Sequence, residues 1–557
     1  MNASITINYA ELAYALLPEI ALAVGLLIVL GFDIVFGRRM SDSARSTSAI
    51  IIGLITLAVA TFQAALSSSH AFGAMLGNAD LSLFSPISTL SSSFSEQDVR
   101  KEMTLFYGMF KPDQLGFMVR FGVFILSALS LPLIAGYASR FTTRKPRSTI
   151  RSYPAEYTAV LLLATMGFSL MAVSNNLLVA FLGFELASFS LYIMAGFDKS
   201  SRVSAEAGLI YFFFGGMAAA FMLLGFSFIY GLTGSLTFSD IAQTLAHNAV
   251  SNEMPLAMQG LDPLMLVALV LVLVGFGYKA AAAPFHFWAP DVYQGAPAPA
   301  GALIASASKL AGFAFFARLL YGGLAHASGS FDSLAPAGWV MVLILISAAS
   351  ILLGNLVALA QTNIRRLIAY SAIAHAGAML IGVVAMRSAG PAPLFYYAFT
   401  YGLATIGIFG VFAVIGRTAS CQRISDLEGL WKRSPFLSAV LFICVLSLAG
   451  IPPLAGFFGK FYVFAAALSL SGLASPLGWL VLLAIVMSAV ALYYYLIILK
   501  TALVTNPPAE TDASDEVGAS AAGKIPVPVA VGIALVIICA LIIGLGIFPS
   551  AILQLFQ

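Results

Sequence analysis

About fourteen apolar runs follow one another along this chain, each near or above the roughly 20 residues a helix needs to cross a bilayer. They lie near 11–36, 48–67, 116–138, 155–173, 176–197, 205–231, 261–283, 299–323, 337–360, 366–386, 392–415, 435–470, 476–500 and 526–549. Inside hydrocarbon a segment must pair its own backbone groups, so only helices and closed barrels are possible. The runs are uniformly apolar and lack the alternation of a barrel wall, which selects helices. Composition points the same way: 60% of residues are hydrophobic and 9% charged, where a soluble globule carries roughly 25% charged residues. The expected fold is an all-α polytopic membrane protein with about 14 transmembrane helices.

The net charge of +3 is small and scattered, which excludes a nucleic-acid partner. Arg38 is the first basic residue, so the N-terminus lacks the basic leader of a cleavable signal and the first run is expected to remain as a helix. Cys421, Cys444 and Cys539 are far apart, without the clustered spacing of a zinc or iron–sulfur site. No metal or redox cofactor is expected in this chain.

Short cytoplasmic loops carry an excess of Lys and Arg. With the N-terminus outside, the inner loops hold Arg38, Arg39 and Arg45; Arg140, Arg144, Lys145, Arg147 and Arg151; Lys199 and Arg202; Arg365 and Arg366; Arg417, Arg423, Lys432 and Arg433; and Lys500 and Lys524. The outer segments hold only Arg100, Lys101, Lys111, Arg120 and Arg387. Both termini are therefore expected outside. Two long polar segments, 68–115 and 232–260, face outward on this count. Segment 503–524, with Asp512, Asp515 and Glu516, reads as a flexible, solvated inner connector.

Runs four to eight and nine to thirteen form two sets of five. Five is odd, so the second set enters the membrane from the opposite side and the sets are inverted repeats. In each, the fourth helix is broken by proline, at Pro284 and at Pro452-Pro453. Proline removes a donor and clashes with the preceding turn. Paired discontinuous helices of this kind point to an ion pathway at the midplane. The expected division is an N-terminal three-helix region with a long outside loop (1–153), a first repeat (154–325), a second, inverted repeat (326–502), and a connector with a last helix (503–557).

Glu185, Lys279, Lys309 and Lys460 each lie inside an apolar run, where ionisable groups are costly and mark functional sites by default. Lys279 is five residues before Pro284, and Glu185 is mid-depth in the fifth helix. Low dielectric favours a neutral lysine and a neighbouring carboxylate favours a charged one, so moving one switches the other. The competing reading is a static ion pair that fixes packing; it leaves Lys309 and Lys460 unexplained. Lys309 is too deep for snorkelling, and the serines beside it either admit water or permit close packing. Lys460 follows the second break. His375, mid-helix, and His286, after the first break, are relay candidates near neutral pH or neutral interhelical hydrogen-bonding groups. Arg318 and Asp33 read as end-of-helix residues served by snorkelling and interfacial water. Tyr493, Tyr494 and Tyr495 read as interfacial anchors or packing.

The run Lys279-Ala280-Ala281-Ala282-Ala283-Pro284-Phe285-His286-Phe287-Trp288-Ala289-Pro290-Asp291-Val292-Tyr293-Gln294-Gly295-Ala296-Pro297 resembles the signature of the antiporter-like subunits of proton-translocating NADH:quinone oxidoreductase, respiratory complex I. The resemblance covers nearly the whole chain, including the glutamate of the fifth helix and both breaks. L-type members continue into a long lateral helix, whereas this chain stops at Gln557, and M-type members carry a glutamate where Lys460 stands. The Asp-Val-Tyr-Gln-Gly run with Lys309 is similar to N-type members.

That resemblance implies a multi-pass subunit of the bacterial inner membrane, surrounded by lipid. Its partners are the other membrane and peripheral subunits of the complex, above all neighbouring antiporter-like subunits. Flavin, iron–sulfur clusters and the quinone site belong to those partners. By the same analogy Glu185 tunes Lys279, Lys279 collects a proton from inside, Lys309 and His375 pass it on, and Lys460 releases it outside. Two other readings stay open: a subunit of a multisubunit sodium/proton antiporter, which shares the helix plan and lysine chemistry, and a membrane scaffold with vestigial charges.

Overall fold

The computed structural model describes residues 15–67, 108–138, 153–251, 263–329, 338–416, 421–505 and 524–556. The connector charges Asp512, Asp515 and Glu516, the loop cations Arg100, Lys101, Arg140, Arg144, Lys145, Arg147, Arg151 and Arg417, and most of segment 68–115 lie outside these residues.

Apolar runs become helices wherever a cap or proline lets one begin. The order is α1 (Leu17–Phe36), α2 (Asp42–Ser67), α3 (Gln114–Ser130), α4 (Leu133–Ala138), α5 (Pro154–Val173), α6 (Leu177–Ala195), α7 (Arg202–Thr233) and α8 (Phe238–Ser251). Then come α9 (Pro263–Ala280), α10 (Trp288–Gly295), α11 (Ala298–Ala305), α12 (Ala307–Gly322), α13 (Trp339–Leu359), α14 (Ile364–Ala389) and α15 (Ala392–Ile415). The last four long ones are α16 (Pro435–Ala449), α17 (Ala455–Ser471), α18 (Pro476–Leu503) and α19 (Val529–Ile547), with single turns at Leu430–Arg433 and Ser550–Leu553. Proline occupies the first turn of α5, α16 and α18, where its missing N–H costs nothing. Asp113, Asn176, Ser201, Asn363, Ser434 and Ser475 accept from the first free amides of their helices. No named strand occurs among the described residues.

Among the described residues, thirteen helices are long and apolar enough to cross a membrane, counting α3–α4 and α11–α12 as single spans. The short apolar pair α16 and α17 makes the fourteenth, as two half-helices. Segment 232–260, expected to be merely polar, contains α8, whose Phe238 and Ile241 are buried.

Burial places the site. The spans α11–α12, α14 and α15 are almost entirely enclosed by protein, whereas α1, α18 and α19 are largely exposed. α5 packs on α6, α7 on α9, and α13 on α14; α12 contacts α3, α5, α9 and α15. Where α5 crosses α6 the backbones nearly touch. A methyl on Gly167 would stand 2.5 Å from Ala187 N and 2.7 Å from Gly183 O. Small residues allow such approach in membranes.

Two short connections are clamped alike. Asn176 forms an antiparallel bridge with Thr237, and Asn363 forms one with Arg423. Both asparagines also cap the helix that follows.

Three charged residues find partners that local sequence does not reveal. Arg120 is not an outer-segment charge: it lies within α3, 2% exposed, and pairs with Glu19 of α1 at 2.7 Å. Arg318 does not snorkel. It donates to Asp113 through both guanidinium ends, at 3.0 and 2.5 Å. Asp33 is held by Arg45, at 2.8 and 2.5 Å.

Because Gly167 meets backbone rather than a movable side chain, Gly167→Ala forces α5 and α6 apart, at about 1–3 kcal/mol for overpacking. Thermal unfolding of the detergent-purified chain is expected to fall for Gly167→Ala and to stay unchanged for Gly231→Ala, where nothing lies within 4 Å.

Candidate functional site

Both helix breaks leave peptide groups unpaired at membrane depth, and neighbouring side chains satisfy them. At the first, α9 ends at Ala280 and Ala281 takes a left-handed φ of 57°. The freed Ala283 N–H donates to Ser350 Oγ of α13 at 2.9 Å, and Trp288 Nε1 donates to Tyr278 O at 2.9 Å. At the second, Gly450 turns the chain with φ 85° and the Gly456 amide donates to Ser447 Oγ at 3.2 Å. Lys460 then reaches back: its Nζ donates to Leu448 O and Ala449 O, both at 3.1 Å. These are terminal carbonyls of α16, the end where the helix dipole favours a cation.

Lys279 stands in the last turn of α9, also at the carbonyl end of a half-helix. The two lysines thus reach comparable electrical positions by different routes, one from the half-helix itself and one from its continuation. Lys279 is 3% exposed, and its Nζ donates to Ser188 Oγ of α6 at 2.9 Å. The same nitrogen lies 4.9 Å from the ring centre of Phe184 and 5.7 Å from that of Phe168, where an ammonium is attracted to the ring faces. Glu185 is one turn before Ser188 on α6 and is half-buried. It feels the charge of Lys279, yet no ion pair forms between them among the described residues. Its Oε1 is buried without a hydrogen-bond partner there. The expected glutamate–lysine partnership is therefore a near approach with Ser188 beside it.

The break before Lys309 carries no proline in its sequence. Ser306, between α11 and α12, has φ −113° and ψ −88°, and its Oγ donates to Ala302 O at 2.6 Å. A serine bonded back to the preceding turn competes with the helix ladder. Lys309, 2% exposed, follows at once, and its Nζ donates to Ala372 O of α14 at 2.5 Å and sits 5.2 Å from the Tyr401 ring centre. One turn later a methyl on Gly312 would stand 3.3 Å from Lys279 Cγ. The same side of α12 thus touches the stem of Lys279 and carries Lys309.

His375 is one turn beyond Ala372. Its Nδ1 shares a hydrogen bond with Tyr397 OH at 2.8 Å, and its Nε2 with Tyr495 OH at 3.1 Å. Tyr495 OH in turn bonds Ser371 Oγ. His375 is near enough to Lys309 and to Lys460 to feel both charges. Tyr397 also lies against α17, 3.0 Å from where a methyl on Gly459 would stand, next to Lys460.

The fold brings together Glu185, Lys279, Lys309, His375 and Lys460 along α6, α9, α12, α14 and α17. His286 is left aside. It is buried in the first break and stacked on Phe287, and no hydrogen bond to the relay residues is found for its Nδ1 among the described residues. For the three tyrosines of α18, burial separates the two readings, anchor and packing. Tyr493 is exposed, but Tyr494 and Tyr495 are buried; Tyr494 donates to Asn355 at 3.0 Å and Tyr495 belongs to the His375 cluster. Tyr397, Tyr401 and Ser371 join His375 and Lys309 without any mark in the sequence. No group of three or more metal-ligating residues occurs among the described residues.

Residues 174–499 match the family described as NADH:quinone oxidoreductase/Mrp antiporter, transmembrane. NADH-quinone oxidoreductase subunit N 2 of Acidobacterium capsulatum is 41% identical over 549 residues, 98% of this chain and 99% of that protein. Among solved structures, a chain of respiratory complex I from Thermus thermophilus with bound aureothin superposes with a TM-score of 0.69 at 29% identity, covering 96% of this chain and 97% of its own. A chain of the Mrp complex from a Dietzia species shares the fold, with a TM-score of 0.71 at 18% identity over 98% and 96% of the two chains. On the full-length match, the two helix breaks and the intramembrane lysines, this chain belongs to the NADH:quinone oxidoreductase/Mrp antiporter transmembrane family, in its subunit N branch.

Proposed function

We propose that this chain is the proton-translocating N subunit of an NADH:quinone oxidoreductase in the bacterial inner membrane. Flavin, iron–sulfur clusters and the quinone site then reside in partner subunits, and Glu185, Lys279, Lys309, His375 and Lys460 carry the protons. One observation supports the relay above others. Three lysines are buried or half-buried, and their hydrogen-bond acceptors are a serine hydroxyl and three backbone carbonyls, with no carboxylate at ion-pair distance among the described residues. Neutral acceptors leave an amine free to gain or lose a proton without breaking a salt bridge. A structural role would favour closed pairs such as Arg318–Asp113, joined by two bonds.

Glu185 then acts as the movable charge. Its approach to Lys279 favours the ammonium and its withdrawal favours release, with Ser188 as the nearest hydroxyl for transfer. Lys309 stands next along α12, and His375, between two tyrosine hydroxyls, joins it to the neighbourhood of Lys460.

The reading includes two inverted five-helix units, 154–325 and 326–502, after an N-terminal region 1–153 and before the closing segment 503–557, with both termini outside. The two clamps support the repeat: Asn176 to Thr237 spans 237 − 176 = 61 residues and Asn363 to Arg423 spans 423 − 363 = 60. The antiporter alternative draws on the fold shared with the Mrp chain. Co-purification separates the two, since flavin and iron–sulfur partners accompany this chain only in the oxidoreductase.

Lys279→Ala and Glu185→Ala are expected to assemble and to pass electrons from NADH to quinone, while transfer through this subunit slows by about 10²–10⁴-fold, the usual worth of a positioned proton donor or acceptor. The proton-to-electron ratio in proteoliposomes reads this. Wild-type ratios in both assembled, electron-transferring variants would sink the relay. Tyr495→Phe strips a hydroxyl from His375 and Ser371, leaving buried polar atoms unpaired at about 1–3 kcal/mol. Its melting temperature and pumping are expected to fall, whereas Tyr493→Phe, on the exposed face, leaves both unchanged.

A further inference from the structure

Helices α1, α3 and α5 enclose a polar cluster that the relay does not use. Glu19 is 5% and Arg120 2% exposed. Arg120 Nη2 donates to Glu19 Oε1 at 2.7 Å and to Ala15 O at 3.3 Å, and Ser169 Oγ donates to the same Glu19 oxygen at 2.5 Å. The other side of the pair is open. Glu19 Oε2 and Arg120 Nε are buried and have no hydrogen-bond partner among the described residues. Guanidinium and carboxylate often close two parallel bonds, and here one is closed. A water accepting from Nε and donating to Oε2 completes the ring, which is what buried water does for otherwise unsatisfied groups.

Polar groups continue from this pair along α3 and α5. Thr165 Oγ1 donates to Ser127 Oγ at 3.0 Å, and Ser130 Oγ donates to Ser127 O at 2.8 Å. Further along α5, Tyr157 OH and Thr158 Oγ1 are fully buried and again lack partners among the described residues. Tyr137 OH then donates to Asp198 at 3.0 Å. At about 1.5 Å per residue, Arg120 to Tyr137 covers about 25 Å, most of a hydrocarbon core roughly 30 Å thick.

We infer that this seam is a second, water-filled proton site, centred on Glu19 and separate from the lysine relay. Hydronium in the seam gives a proton to Oε2, leaving water and a neutral carboxyl group beside the charged Arg120; return of that proton to water restores the ion pair. Neither step requires Lys279, so the inference stands or falls apart from the relay.

Infrared difference spectra of the assembled complex, cycled between oxidised and reduced states in water and in D2O, test it. A carboxyl stretching band that shifts in D2O is expected, lost in Glu19→Gln and kept in Lys279→Ala. Thr165→Val preserves shape and leaves the Glu19–Arg120 pair in place; it is expected to slow deuterium uptake of that band by about tenfold, a barrier change of about 1.4 kcal/mol. Absence of the band in the wild type, its survival in Glu19→Gln, or unchanged uptake in Thr165→Val would each overturn the inference in favour of a dry clamp between helices. Where Glu19→Gln fails to assemble, the wild-type band and the Thr165→Val uptake rate decide.

Discussion

An unpaired peptide group in hydrocarbon costs several kcal/mol, and the middle of this protein is arranged around meeting that cost at two broken helices. Ser350 and Trp288 supply the missing partners at the first break, Ser447 and Lys460 at the second. The breaks survive because protein surrounds them. Each creates a helix end in the interior, and a helix end carries partial charge. Lys279 and Lys460 occupy the carbonyl ends so created, and an intact helix would present no such end at that depth. Local backbone chemistry thus prepares the positions at which amines are tolerated.

What the amines touch then sets their chemistry. Arg318–Asp113 and Arg45–Asp33 show that this chain closes ion pairs where it needs a clamp. Around Lys279, Lys309 and Lys460 it places hydroxyl and carbonyl oxygens instead, with aromatic faces beside the first two. The enclosed helices α12 and α14 carry Lys309 and His375, the middle of the series. The proposed relay thus draws its members from both halves of the chain, with Lys309 and His375 on the helices most enclosed by protein.

Much of this was legible in the linear chain. Run length locates the spans because a bilayer imposes a length. Pro284 and Pro452-Pro453 locate two breaks because proline cannot donate, and charge inside apolar runs marks the lysines. The break at Ser306 was hidden, since a serine bonds back to its own helix without any change of composition. Tyr495 near a helix end reads as an interfacial anchor or as packing, and only the contact of α18 with α14 shows its hydroxyl at His375. Arg120 and Arg318 misled for a related reason: Glu19 and Asp113 are 101 and 205 residues away, and pairing over such distances is decided by tertiary structure.

The account depends on water reaching the amines. A map of the assembled complex during turnover, at a resolution that places individual waters, tests this most directly. It is expected to show ordered water joining Lys279, Lys309 and Lys460 through the His375 cluster in at least one state. Dry apolar packing between these residues in every turnover state would contradict it.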